Sequence, residues 1–298
     1  MKLSVIIVPY KAKEKLDITL EAVYASQVNF DYEVIIVDNL PPSGTEELVR
    51  TKYLSQPTIA TKTTYIPNTE NVGFPIANNQ GLKISKGDYK LLLNPDTKVS
   101  TDTLQVMMDF MESRPDVGIS SCKMVKGNGE LDLACRRSFP DPWVSFFRLS
   151  GLSKLFPNNK KLAAYNLTYK PIDEETEMDA GTGAFLFVSP ACFQKIGLLD
   201  EGFYMYGEDL DWCFRAKEAG FKVWYYPKTT TIHYKGQSSR QNPFALYAFH
   251  DAMWIFYKKH LKHKYPLPFS WLVWLGIFGR YALKWTINLF KKEKIVSQ

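Results

Sequence analysis

The chain predicts an α/β protein built on a mainly parallel sheet with helices on both faces. Three observations lead there. Apolar runs without polar alternation recur at 3–8, 32–37 and 91–93, as in strands covered on both sides. Stretches with helical spacing separate them, and strand–helix–strand order with apolar strands calls for right-handed parallel crossovers. Apolar residues make up 45% of the 298, enough for a sizeable core and against general disorder.

The first run stops at Pro9-Tyr10, after which Leu16, Leu20, Val23 and Tyr24 recur at helical spacing. The second delivers Asp38-Asn39 to its carboxyl end. Pro41-Pro42-Ser43-Gly44 is loop, and Thr45 with Glu46 and Glu47 opens a helix. A shorter strand is predicted at 63–66 and a helix at 76–84. Pro95 cannot extend a β-ladder, so the strand through 91–93 ends there and presents Asn94 and Asp96. A Met-rich helix follows at 101–111. Residues 127–178, with Pro140, Pro142, Pro157 and Pro171, read as a long irregular excursion, and such excursions are usually functional or mobile. The chain returns to the sheet at 184–188. Just before lie Gly181, Thr182 and Gly183, small residues that let backbone approach a ligand closely. Leu210, Cys213, Phe214 and Lys217 then mark a helix opened by Glu208, Asp209 and Asp211, whose charges its dipole stabilises by ~0.3–1 kcal/mol each. Phe203-Tyr204-Met205-Tyr206 ahead of it suggests an aromatic wall, which raises a neighbouring carboxylate's pKa as a base requires. A strand at 222–226 precedes His233.

Asp38 and Asp96 thus fall at the carboxyl ends of separate strands, the edge where open α/β sheets bind ligands. Hard oxygen donors there suit Mg²⁺ or Mn²⁺ together with substrate phosphates. Neither G-x-G-x-x-G nor G-K-[ST] occurs, which removes support for a nicotinamide site or a P-loop. Cys122, Cys135, Cys192 and Cys213 form no metal-binding spacing and read as buried thiols of a reducing cytosol.

Net charge is +6, but nine Lys or Arg against one acid lie beyond residue 256, leaving the preceding body slightly acidic. That pattern excludes a nucleic-acid-binding body and points to an anionic partner of the tail. Within the tail, Gly276, Arg280, Lys284 and Asn288 form one polar stripe on a helix otherwise rich in aromatic and aliphatic residues. Its longest apolar run, 271–279, falls short of the ~20 residues a membrane span needs. With lysines on either side, at 258–264 and 291–294, it reads as an interfacial helix on an anionic membrane surface. The expected division is 1–240 for the α/β domain and 241–298 for a helical membrane-association segment. The apolar run at 3–8 is too short for a signal peptide, so the expected location is cytoplasmic, peripheral on the inner face of the plasma membrane.

Val8-Pro9-Tyr10, Val37-Asp38-Asn39, Asn71-Val72-Gly73-Phe74, Asn78-Asn79-Gln80-Gly81, Leu93-Asn94-Pro95-Asp96-Thr97, Gly207-Glu208-Asp209-Leu210-Asp211 and His233 occur in that order. Together they resemble the family 2 glycosyltransferases of GT-A fold, in particular the rhamnosyltransferase-like branch, over about residues 1–240. The resemblance implies an inverting transfer from a nucleotide-diphosphate sugar, with dTDP-L-rhamnose first and a UDP-sugar next, onto a lipid-linked or cell-surface glycan. By it, Pro9, Tyr10 and Asp38 surround the nucleoside, and Asn78, Asn79 and Asn94 lie near the donor. Asp96 holds Mg²⁺ or Mn²⁺ with His233. Asp209 is the general base, with Glu208 in reserve. Gly181, Thr182, Gly183 and Tyr206 stand on the acceptor side. Pro9, Lys11 and the Leu40-Pro41-Pro42 segment depart from the family pattern at the nucleotide pocket, where they bear on base and sugar preference. A catalytically silent glycan-binding relative at the membrane is the alternative of another class.

Overall fold

The computed structural model describes residues 1–41, 44–235 and 244–290. Its nine strands are β1 (Leu3–Ile7), β2 (Tyr32–Asp38), β3 (Thr63–Pro67), β4 (Tyr89–Leu93), β5 (Thr97–Val99), β6 (Val117–Lys126), β7 (Thr176–Met178), β8 (Phe185–Val188) and β9 (Lys222–His233). They form one sheet in the order β3-β2-β1-β4-β8-β6-β9-β5, with β7 also paired to β9. The helices are α1 (Lys13–Tyr24), α2 (Thr45–Leu48), α3 (Pro57–Ala60), α4 (Phe74–Ile84), α5 (Thr103–Ser113), α6 (Pro142–Leu149), α7 (Leu152–Leu155), α8 (Pro190–Ile196), α9 (Glu208–Glu218), α10 (Ala245–Phe256) and α11 (Leu267–Leu289).

Every residue of β1 and β2 is buried, as unalternating apolar runs require of strands sandwiched between helices. Leu3, Ile6, Ile7, Val34 and Ile35 are wholly excluded from solvent. Each such side chain contributes ~1.5–3 kcal/mol by leaving water. The class is the expected one, but the sheet is parallel only in part. β3, β2, β1 and β4 run parallel, whereas β8 is antiparallel to both β4 and β6, and β5 and β7 are antiparallel to β9. The excursion at 127–178 supplies β7 and two short helices, and β9 extends well past 226 to include His233.

Register brings the functional edge together. Ile7 pairs with Leu93 and Leu93 with Phe185, so Pro9, Asn94 and Gly183 all leave the sheet on one side. The Asn94 N–H confirms the approach by donating to Ala184 C=O at 3.1 Å. Thr97 pairs with His233, which sets that imidazole beside Asp96.

The boundary expected at 240/241 lies outside the described residues, as do Lys291, Lys292 and Lys294. Beyond it, α10 and the turn that follows are no separate body: Ala252 and Phe256 of α10, and Tyr257 and Leu261 after it, belong to the main core. α11 packs on α10 and buries Ser270, Ile277 and Asn288. Of its polar stripe, Asn288 is buried and Arg280 and Lys284 are half-buried, whereas Gly276 is exposed. The opposite face exposes Trp271, Leu272, Leu275, Leu283 and Trp285. Among the described residues no helix is long and apolar enough to cross a membrane.

Candidate active site

The edge carries two clusters. The first is built at the ends of β1, β2 and β4. Asp38, buried at the last position of β2, accepts from Tyr65 Oη at 2.8 Å. Asn39 beside it is a hub, donating to Asn71 Oδ1 at 2.9 Å and to Gly73 C=O at 3.2 Å while accepting from Asn68. This fixes the loop into α4. Gly73 has φ +89°, and a Cβ there would lie 2.7 Å from Tyr204 C=O, so only glycine fits. Pro9 is buried and Tyr10 half-buried. Lys11 adopts φ +49°, a left-handed conformation that Asn tolerates better, so the departure from the family pattern falls at a conformationally special position.

Asp96, whose side chain is 14% exposed, has its Oδ1 3.3 Å from His233 Nε2. The other ring nitrogen, Nδ1, lies 2.8 Å from Asp132 Oδ2, and Asp132 is almost wholly buried. Lys235 Nζ sits 2.5 Å from the second Asp132 oxygen. Burial opposes charge on His233, yet the bonds to Asp132 and Asp96 carry its pKa up to about 9. Among the described residues no three acidic, His or Cys side chains are arranged to hold an ion by themselves. The set fits a divalent cation that also takes substrate phosphates once the cation displaces the proton from Nε2: Asp96 supplies one carboxylate, and Asp132 fixes Nδ1 so that Nε2 faces Asp96.

The second cluster is the first turn of α9. Gly207, at φ +80°, precedes the helix, and a Cβ there would lie 2.9 Å from the Phe203 ring. Tyr206 before it also has positive φ, +67°, a conformation that is costly for a bulky residue and tends to occur at functional sites. Asp209 Oδ2 accepts from Arg137 Nη2 at 2.7 Å and from Gly183 N–H at 3.0 Å, and its Oδ1 from Leu210 N–H at 2.8 Å. Glu208 is buried beside it, and its Oε2 has no hydrogen-bond partner among the described residues. Burial first, and then the Asp209 charge, push the Glu208 carboxyl up to about 8. Asp211 faces the other way. It takes the expected Arg215 pair at 2.8 Å, together with Lys259 at 2.6 Å and His260 at 2.8 Å, both from the chain after α10.

Several sequence-based candidates stand elsewhere. The Asn79 carboxamide is fully engaged with Leu199 and Glu201: both N–H groups donate there and its oxygen accepts from Leu199 N–H. It ties α4 to the 199–201 loop and has no donor left for a nucleotide. Asn78 is buried and donates to Phe74 C=O one turn back. Gly181 faces the core, where Leu186 and Ser121 crowd its Cβ position, so its small size serves packing. Gly183 does face the cluster, with the Phe74 ring and Glu208 Oε1 nearest. Thr182 is half-buried, three residues before β8. Arg137, Asp132, Tyr65 and Lys235 have no counterpart in the sequence reading. Arg137 lies 72 residues from Asp209 and Asp132 lies 101 from His233, so no local spacing signals either pair.

A mixed α/β sheet with carboxylates at strand ends and an acidic helix start opposite them defines a GT-A glycosyltransferase. The comparisons agree. The glycosyl transferase family 2 model matches residues 4–169, and the chain belongs to that family. It is 28% identical over 235 residues to the low-salt glycan biosynthesis hexosyltransferase Agl10 of Haloferax volcanii, covering 78% of this chain and 66% of that one. It is 23% identical over 252 residues to the N-acetylglucosaminyl-diphospho-decaprenol L-rhamnosyltransferase of Mycobacterium tuberculosis, covering 80% and 78%. A mannosyltransferase of Pyrobaculum calidifontis in complex with GDP-Man and Mn²⁺ superimposes with a TM-score of 0.59 at 17% identity, over 95% of this chain and 71% of that one. The last likeness is one of fold.

Proposed function

We propose that the protein is an inverting, divalent-metal-dependent glycosyltransferase that moves L-rhamnose from dTDP-L-rhamnose onto a lipid-linked acceptor at the inner face of the plasma membrane. The observation that carries this reading is the convergence of the Asp96–His233 pair and the Glu208–Asp209 helix start on one sheet edge. The mycobacterial relative, an N-acetylglucosaminyl-diphospho-decaprenol L-rhamnosyltransferase, supports rhamnose and a lipid diphosphate acceptor. The Mn²⁺ in the archaeal complex supports a metal.

In this reading Pro9, Tyr10 and Asp38 bind the nucleoside, and Asn94 lies near the diphosphate. Asp96 and His233 hold Mg²⁺ or Mn²⁺, which when bound offsets the charge of the leaving diphosphate. Asp132 holds the imidazole in place. Asp209 takes the proton of the acceptor hydroxyl through Oδ1, the oxygen that is not engaged by Arg137. The acceptor oxygen then bonds to the anomeric carbon as the carbon–diphosphate oxygen bond breaks on the opposite face, inverting the centre. Arg137 and Gly183 N–H orient the base. Residues 241–298 act as the membrane-association segment, with the apolar face of α11 lying in the interface.

A panel of nucleotide sugars, each with and without Mn²⁺, tests the reading by thermal shift followed by turnover. A ligand of the native state raises its stability by mass action. The largest shift is expected with dTDP-L-rhamnose and Mn²⁺. A UDP-sugar in first place would change the donor, and no turnover of any sugar would leave the catalytically silent alternative.

A further inference from the structure

The excursion between β6 and β7 carries an apolar surface that the active site does not use. In α6 the side chains of Trp143 and Phe146 belong to residues 58% and 55% exposed, and Leu149 three residues on is exposed too. A spacing of three puts them on one face of the helix. The other face is occupied: Val144 and Phe147 are half-buried, and Arg148 lays its guanidinium 4.1 Å over the Tyr165 ring. Past the turn at Gly151, Leu155 of α7 and Phe156 after it are again exposed. Large apolar side chains gathered along one short stretch of ordered surface mark a binding face.

Charge says what covers it. Between Pro142 and Lys161 the chain has Arg148, Lys154, Lys160 and Lys161 and no acid. The three lysines are exposed and make no ion pair among the described residues. A second copy of the chain suits this surface badly, because a two-fold contact sets the same patch against itself and so cations against cations. An anionic bilayer takes both features at once, the rings at the headgroup boundary and the lysines on its negative charge.

The surface is also held in place. Asp141 Oδ1 caps α6 by accepting from Trp143 N–H at 2.8 Å and Val144 N–H at 3.1 Å, while its Oδ2 accepts from Tyr265 Oη at 2.9 Å. Tyr265 stands just before α11, whose exposed Leu267 and Trp271 follow. Ser138 N–H donates to Tyr165 C=O at 2.9 Å, which closes the excursion next to Arg137, the partner of Asp209. The patch is thus tied on one side to the start of α11 and on the other to the chain that holds the proposed base.

We propose that α6, α7 and the lysines beside them form a second membrane-contact element, which seats the acceptor side of the site on an anionic lipid surface. The element rests on the membrane-association reading above and extends it from residues 241–298 to residues 142–161.

The four native cysteines are buried, so Phe146→Cys can be labelled selectively with an environment-sensitive dye in the full-length chain. Vesicles of phosphatidylglycerol and phosphatidylcholine should shift its emission to the blue, and pure phosphatidylcholine far less. Adding Lys154→Gln/Lys160→Gln/Lys161→Gln should raise the lipid concentration needed about a hundredfold, at about fivefold per lysine near an anionic surface. In the unlabelled chain Trp143→Gln/Leu155→Gln should weaken sedimentation with the same vesicles. Thermal unfolding should be unchanged in every variant, because the replaced side chains are exposed. A dye at residue 146 that shows no lipid-dependent shift overturns the proposal, and if the chain still sediments with the vesicles, the reading of α11 stands. A blue shift that needs no lipid and grows with protein concentration overturns it in favour of a second copy. The reading of α11 fails separately: a shift at residue 146 together with wild-type vesicle binding by Trp271→Gln/Leu275→Gln removes α11 from the interface and leaves the α6 contact standing.

Discussion

The two halves of the sheet edge are held in different ways. On the β3-β2-β1-β4 side the loops are laced by amides and hydroxyls: Asn39 to Asn71 and Gly73, Asn68 to Gln80, Tyr65 to Asp38. On the β8-β6-β9-β5 side the ties are ion pairs that span long stretches of chain: Arg137–Asp209, His233–Asp132, and Asp211 with Lys259 and His260. A network whose one carboxylate, Asp38, is held by a hydroxyl responds less to pH than carboxylates clamped by cations, which lose their partners when protonated. The β3-β2-β1-β4 half should therefore be the less pH-sensitive and the β8-β6-β9-β5 half the one that fails first in acid.

Five substitutions test that contrast, from the largest effect to the smallest. Asp209→Asn keeps the shape and removes the basicity, so transfer should fall about 10²–10⁴-fold with nucleotide affinity retained. Near wild-type turnover in that variant with a dead Glu208→Gln would move the base by one residue. Asp211→Ala leaves Arg215, Lys259 and His260 around an uncompensated cavity. Because Lys259 is partly exposed, the cost should lie near the low end of the ~3–5 kcal/mol typical of broken buried pairs, read by urea unfolding. The sign of its pH dependence is fixed by cause. Burial opposes its charge, but His260, Lys259 and Arg215 hold the carboxyl down at about 2, so its contribution is present above the usual carboxylate pKa and lost as pH falls toward 2. The variant's acid limb should be flatter than that of wild type, and parallel limbs would dissolve the contrast between the halves.

Asp132→Asn probes the seam between the halves. Losing the carboxylate behind a metal-ligating imidazole typically weakens metal affinity about 10–100-fold, so Mn²⁺-dependent nucleotide binding should weaken while metal-free binding does not. Asp96→Ala should abolish the Mn²⁺ dependence outright. The smallest effect is expected for Glu208→Gln on stability. Burial and the Asp209 charge favour the neutral acid, so the contribution of Glu208 is complete below its ordinary pKa and is lost as pH rises through about 8. The glutamine variant should match wild type near pH 5 and exceed it in Tm near pH 9. A constant difference across that range would refute the assignment.

The same contrast accounts for what was legible in the sequence. The ends of β1, β2 and β4 announce themselves because a short apolar run followed by Pro, Asp or Asn is a local signal. β6 does not, since Ser120, Ser121 and Lys123 interrupt its apolar residues although it runs through the middle of the sheet. The acids opening α9 were legible as candidates, but not their division of labour. Arg137 beside Asp209, and Lys259 and His260 around Asp211, come from chain far away and can be assigned only once the fold brings them in. Asn79 sat in a family-like motif and serves a loop contact, because adjacent helical residues point ~100° apart and only one of Asn78 and Asn79 can face a given side.

The position of Lys259 and His260 also bears on how the protein matures during synthesis. Asp211 meets them 48 and 49 residues further along the chain. Until the ribosome has passed residue 260, α9 carries a carboxylate that can pair with Arg215 but with neither of its other two cations. The helix bearing the proposed base therefore cannot settle into its final electrostatic environment on a nascent chain, however early the β1–β4 half has folded. A product truncated before that point would carry an α9 still short of two of the three cations that surround Asp211.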